Sequence, residues 1–204
     1  MLGRLGQLLF PNHVEVLEIV PQHQYVYPIF KNGTTSLREK YFEVNLEDLK
    51  NISNIEVFVR DPYRRFLSGV QTYIKELGPD IDKKTALYFL NQTHYLNKHC
   101  CPQLYWLLNL GRFTNATLTL RPMSELVTIT DVHANQSTID PEILEIFSKN
   151  KNLLFFNEID EVLTINLIGK TVTLEEILEV LKEKYSELYH ETFDISKQIT
   201  NVLP

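Results

Sequence analysis

"IEVFVRDPYRRFLSGVQTYIKEL", residues 55–77, switches from one kind of local structure to another within two residues. Ile55 to Arg60 is rich in β-branched and aromatic side chains and reads as a strand. Asp61 is a natural helix N-cap, and Pro62 sits at the first helical position, where its missing N–H costs nothing. Beyond them Phe66, Leu67, Val70, Tyr73, Ile74 and Leu77 recur at helical spacing. This leaves Arg64, Arg65, Ser68 and Thr72 on the opposite face, where helix arginines are usually solvated. A strand that runs straight into a helix is the building unit of an α/β sheet.

The stretch "YVYPIFKNGTTSL", residues 25–37, repeats the pattern. Tyr25 to Ile29 suits a buried strand with Pro28 near its end, and a helix is expected over Thr34 to Phe42. Further along, Lys84 to Asn91 and Pro102 to Leu110 read as helices, and Ala116 to Arg121 and Leu153 to Phe156 as strands. Asp140-Pro141 opens another helix, and Thr173 with Glu176 forms a capping box ahead of an amphipathic helix over Leu174 to Phe193. No internal repeat or Gly/Pro/Ser-rich linker divides the chain. The order predicts one domain over residues 1–204, with a central parallel β-sheet flanked by helices and ligands at the carboxyl ends of its strands.

Composition sets limits on what such a domain does. With 44% hydrophobic and 23% charged residues the chain can bury a core. Its net charge of −6 argues against a protein that coats nucleic acid, so any anion must be gripped locally. Cys100 and Cys101, the only cysteines, are adjacent, a strained arrangement for a disulfide that points to a reducing compartment. Leu8, Leu9 and Phe10 form too short an apolar run for a signal peptide, so the expected location is cytoplasmic, without a membrane span. The alternative is a Golgi-lumenal protein cut from its anchor. It draws on five Asn-x-Ser/Thr triplets, at Asn32, Asn51, Asn91, Asn115 and Asn135.

Local anion binding is what residues 31–36 offer. At a strand-to-helix junction the amides of Gly33, Thr34, Thr35 and Ser36 lie where partial positive charge and unpaired donors attract phosphate. Lys31 adds a full charge, Gly33 permits close backbone approach, and the three hydroxyls are further donors. The loop is not the nucleotide-triphosphate signature, in which lysine follows the second glycine. Taken alone, Lys31-Asn32-Gly33 also reads as an ordinary turn. A second junction decides between the two, since Arg60 ends a strand and Ser68 follows two helical turns later, a pair able to grip one phosphate.

Together these stretches resemble the sulfotransferases that use 3′-phosphoadenosine 5′-phosphosulfate (PAPS), particularly the carbohydrate type. Their first motif, lysine and a small residue before Gly-Thr-Thr, is similar to Lys31, Asn32, Gly33, Thr34 and Thr35. Their second, Arg-Asp-Pro with a serine eight residues after the arginine, is similar to Arg60, Asp61, Pro62 and Ser68. His99 followed by Pro102-Gln103 resembles a third, His-x-x-Pro-Gln. The resemblance implies a nucleotide-kinase-like sulfotransferase fold of the compact bacterial or phage type. It implies that Lys31, Asn32, Gly33, Thr34, Thr35 and Ser36 hold the 5′-phosphosulfate, and that Arg60 and Ser68 hold the 3′-phosphate of PAPS or of its desulfated product, PAP. Two departures stand out. Phe30 occupies the place of a usual proline, and residues 32–59 leave little room for acceptor-binding insertions.

The reaction implied is sulfuryl transfer to an acceptor hydroxyl, on a carbohydrate, with no metal. Charge builds on the oxygen that leaves with the nucleotide, and Lys31 is the cation to stabilise it. A base is needed for the acceptor proton. His99 is the first candidate, with His94, Glu43 and Glu39 as alternatives. His94, His99, Cys100 and Cys101 match no usual zinc spacing. Tyr105 and Trp106 fit a core better than a stacking platform. The rival functions are a non-catalytic nucleotide- or glycan-binding module of the same fold, and a nucleotide or sugar kinase. The kinase would require lysine inside a glycine-rich loop.

Overall fold

The computed structural model describes residues 14–20, 22–29, 31–78, 82, 98–133, 138–148 and 166–184. Among them lie strands β1 (Leu17–Ile19), β2 (Gln24–Tyr27), β3 (Phe42–Glu43), β4 (Asn54–Val59), β5 (Thr117–Pro122) and β6 (Thr171–Val172). The helices are α1 (Thr34–Lys40), α2 (Pro62–Leu77), α3 (Gln103–Leu110), α4 (Leu126–Thr130), α5 (Pro141–Ser148) and α6 (Leu174–Lys184). The strands form one sheet in the order β3-β1-β2-β4-β5-β6.

The expected parallel sheet holds only at its centre. β2, β4 and β5 run parallel, with Val26 opposite Glu56 and Val57 opposite Leu120. β1 is antiparallel to β2 and to β3, and β6 is antiparallel to β5, so the sheet is mixed. These added strands have two or three residues each, too short to leave an alternating pattern in the sequence. The expected helix over Lys84 to Asn91, the strand over Leu153 to Phe156 and the end of the last helix beyond Lys184 lie outside the described residues.

Alternation along β4 divides the core between the two faces of the sheet. Ile55, Val57 and Val59 pack with Tyr27, Ile29, Leu104 and Leu107 on one face. Phe58 packs with Leu17, Val26, Leu37 and Leu126 on the other. Each such side chain, fully buried, contributes about 1.5–3 kcal/mol. Every residue of α3 is buried, and Tyr27 ties it to the sheet by donating to the Trp106 carbonyl at 3.0 Å. Tyr105 and Trp106 thus belong to the core.

The local signals at the helix starts are realised. Asp61 Oδ1 accepts from the Arg64 amide at 2.7 Å, a cap worth about 1 kcal/mol, with Pro62 as the first residue of α2. At α6 the Thr173 amide donates to Glu176 Oε2 (2.7 Å) and the Glu176 amide to Thr173 Oγ1 (3.2 Å).

The two-faced reading of α2 fails at Arg65 and at Ser68, both of which are buried. Instead of facing solvent, Arg65 is 1% exposed, and its Nη1 donates to the Cys101 carbonyl. The reason is that α2 is covered twice. Phe66, Leu67 and Val70 pack against Ile143 and Phe147 of α5, with Phe66 edge-on to Phe147 at 5.2 Å. The 98–101 turn covers a second side. It lies so close to Gly69 that a Cβ there would stand 2.7 Å from the His99 carbonyl carbon and nearer still to its oxygen. Among the described residues no helix is long and apolar enough to cross a membrane.

Candidate active site

Because β2 and β4 are parallel neighbours, their carboxyl ends open side by side. The chain leaves β2 through residues 31–33 into α1, and leaves β4 through Arg60 and Asp61 into α2. The two stretches singled out in the sequence therefore lie next to each other at the same end of the sheet. Lys31 and Gly33 both adopt left-handed backbone conformations, φ 70 and φ 78. Glycine does so freely, whereas for lysine the conformation stores about 1–3 kcal/mol that the surroundings must offset.

Those surroundings are buried hydrogen bonds. The Asn32 amide donates to the Ile29 carbonyl (3.0 Å), and Asn32 Nδ2 donates to the Phe58 carbonyl and to Gln103 Oε1, both at 2.7 Å. Thr34 Oγ1 donates to the Ile29 carbonyl at 2.7 Å. The side chains of Asn32 and Thr34 thus fix the loop from within, while Thr35 is exposed and Ser36 half-buried. A wholly buried Asn32 also accepts no glycan in this fold. Asn91 and Asn135 lie outside the described residues.

Arg60 joins the loop from the neighbouring strand. Its Nη1 donates to the Lys31 carbonyl at 3.1 Å. Its backbone is held by Gln103, whose Oε1 accepts from the Arg60 amide (2.9 Å) and whose Nε2 donates to the Arg60 carbonyl (2.8 Å). Sequence reading noted Gln103 only as part of a resemblance and gave it no role.

Along α2, Ser68, Thr72 and Glu76 succeed one another at intervals of four and so share one stripe of the helix. Lys31 Nζ donates to Thr72 Oγ1, which donates in turn to the Ser68 carbonyl at 3.2 Å. His99 Nε2 lies 3.2 Å from Glu76 Oε1. Glu76 escaped sequence reading, although its i+8 spacing from Ser68 was a signal that could have found it. Of the candidate bases, His99 is near enough to Lys31 for the lysine's charge to act on it. Glu39 is an exposed residue of α1, and Glu43 sits on the outermost strand. His94 lies outside the described residues.

Partial burial decides the electrostatics. It pushes the Lys31 ammonium below its ordinary pKa, with Glu76 opposing. The Arg60 guanidinium is lowered by the same cause, and then by Arg64. A nearby anion would favour the charged form of both. Burial also lowers His99, to about 4. Glu76 opposes the shift, while Lys31, Lys98 and Arg65 reinforce it. At neutral pH the imidazole is therefore uncharged. Cys100, buried beneath, is pushed up to about 12 and stays a thiol. The chain was compared with protein-family models, curated proteins and solved structures, and none matches it.

Proposed function

We propose that the chain is a PAPS-dependent sulfotransferase, transferring a sulfuryl group from 3′-phosphoadenosine 5′-phosphosulfate to a carbohydrate hydroxyl. The observation that carries the reading is the meeting of Lys31 and Arg60 at the ends of two neighbouring parallel strands, linked at 3.1 Å. Two half-buried cations with lowered pKa values are a donor set chemically suited to anions. Lys31, the loop backbone and Ser36 would hold the phosphosulfate end, and Arg60 and Ser68 the 3′-phosphate. When bound, the donor supplies the sulfuryl group. Lys31 is the point charge that stabilises negative charge growing on the departing oxygen. Neutral His99 takes the acceptor proton, with Glu76 steadying its ring from Nε2.

Both ring nitrogens of His99 are shielded from solvent. That observation favours one second reading, a module that binds the nucleotide without turnover. Incubation with PAPS labelled in the sulfuryl group and a panel of glycans, lipids and peptides separates the two. Label transferred to a glycan supports the enzyme. Tight PAP binding with no transfer to any acceptor supports the module, and absence of both removes the family reading.

A further inference from the structure

We propose that Gln103 is a positioning residue that sets the separation of the two anion-binding loops, and thereby lets the site distinguish a nucleotide with a 3′-phosphate from one without it. The nature of the anions rests on the sulfotransferase reading. The clamp itself rests on geometry. Gln103, fully buried at the first position of α3, makes three hydrogen bonds to the two junctions: from Asn32 Nδ2 (2.7 Å), from the Arg60 amide (2.9 Å) and to the Arg60 carbonyl (2.8 Å).

The position explains why a side chain is needed there. The ladder between β2 and β4 ends at Tyr27 and Val57, and that between β4 and β5 ends at Val59 and Pro122. Arg60 is the first residue beyond both. Its N–H and C=O would lack the partners that a strand neighbour provides, and the Gln103 amide supplies both. The same Oε1 receives the side chain that pins the Lys31 loop, so one amide group fixes both loops to one point. A glutamine amide offers an acceptor and a donor side by side on one carbon, the spacing that matches a peptide N–H and C=O. Glutamate lacks the donor until it is protonated, and leucine lacks both. A ligand with two anions gains from the second contact only when the spacing of the loops matches its own.

Exchange and binding measurements on Gln103→Leu and on the nearly isosteric Gln103→Glu test the proposal. In the unliganded protein, hydrogen exchange should quicken at the Arg60 amide and across residues 31–37 and stay unchanged in the β1–β2 pairing. In calorimetry, Gln103→Leu should cut the ratio of PAP affinity to adenosine 5′-phosphate affinity at least tenfold. Affinity for the monophosphate should change less than threefold. Gln103→Glu should show the same loss at neutral pH and regain the ratio on acidification, as its carboxyl becomes a donor. A merely structural role weakens both nucleotides in parallel and preserves the ratio, which would overturn the proposal. Should Gln103→Leu not fold, Gln103→Glu carries the same test. If the wild type binds neither nucleotide, the sulfotransferase reading falls and takes the nucleotide part of the proposal with it. Unchanged Arg60 exchange in the variants would then overturn the clamp as well.

Discussion

Arg60 Nη1 reaches across from β4 to the Lys31 carbonyl beyond β2, 3.1 Å away, so two separate strand-to-helix junctions, each carrying a cation, are in contact. Neither junction alone would distinguish a phosphate site from a turn. Their contact follows from the parallel pairing of β2 with β4, since antiparallel neighbours would send the two loops to opposite ends of the sheet.

PAP should therefore bind more tightly than adenosine 5′-phosphate, because the monophosphate leaves the Arg60 site unfilled. Arg60→Ala should erase most of the difference, about 10- to 100-fold for the loss of one hydrogen-bonded charge contact. Calorimetry with the two nucleotides decides it. Equal affinities in the wild type would remove the 3′-phosphate site.

Lys31→Ala should separate binding from turnover. If its charge matters most when the departing oxygen becomes negative, turnover should fall about 10²- to 10³-fold, and PAP affinity should fall about tenfold or less. The comparison needs rates at saturating donor alongside equilibrium binding. Wild-type turnover in this variant would reduce residues 31–33 to a turn.

The two junctions were legible in the sequence, for a physical reason. Strand-to-helix junctions carry their signals locally, as Asp61 and Pro62 do at α2 and Thr173 with Glu176 at α6. Lys31 and Arg60 stood out because cations beside a cap or a glycine have few structural reasons to be there. What depends on contacts distant in sequence was not legible. Arg65 read as surface because nothing near it announces the 98–101 turn that buries it. That the Asn32 side chain fastens the loop from within was not legible either, because its partners Phe58 and Gln103 are distant in sequence. The antiparallel strands β1, β3 and β6 were missed because two or three residues cannot display a period.

The pH dependence of turnover tests His99 separately. With its pKa depressed to about 4, His99 is deprotonated throughout the neutral range. A rate that depends on neutral His99 should be level from about pH 6 to 8 and fall only on the acid side, near the depressed value. Glu76→Gln removes the neighbour that raises this pKa, so the acid limb should move lower still. His99→Ala should lose about 10²- to 10⁴-fold in turnover with PAP affinity retained. Stability should follow the same group. The unfolded chain takes up the proton near pH 6.5, before the folded chain does, so stability should drop as pH falls from about 6.5 toward 4 and stay level above. His99→Gln should flatten that segment of the denaturation profile. A steep rate increase between pH 6 and 8 would contradict the depressed pKa.

Gly69→Ala reaches the same histidine through the backbone. Gly69 has ordinary helical surroundings on its own helix, and in solvent an alanine would stabilise α2 by about 1 kcal/mol. Here the added methyl meets the His99 carbonyl, which belongs to main chain and cannot rotate aside, with Cys100 Sγ 3.1 Å away. The 98–101 turn must move outward, at a cost typical of overpacking, about 1–3 kcal/mol. That movement would pull His99 from Glu76 and loosen the packing of Arg65 against the Cys101 carbonyl. Urea denaturation should show the loss, and turnover should fall well beyond the small fraction of protein unfolded. Because the Lys31 and Arg60 loops are pinned elsewhere, PAP affinity should change less than turnover does. An alanine variant as stable and as active as the wild type would show that the turn does not rest on α2 at Gly69.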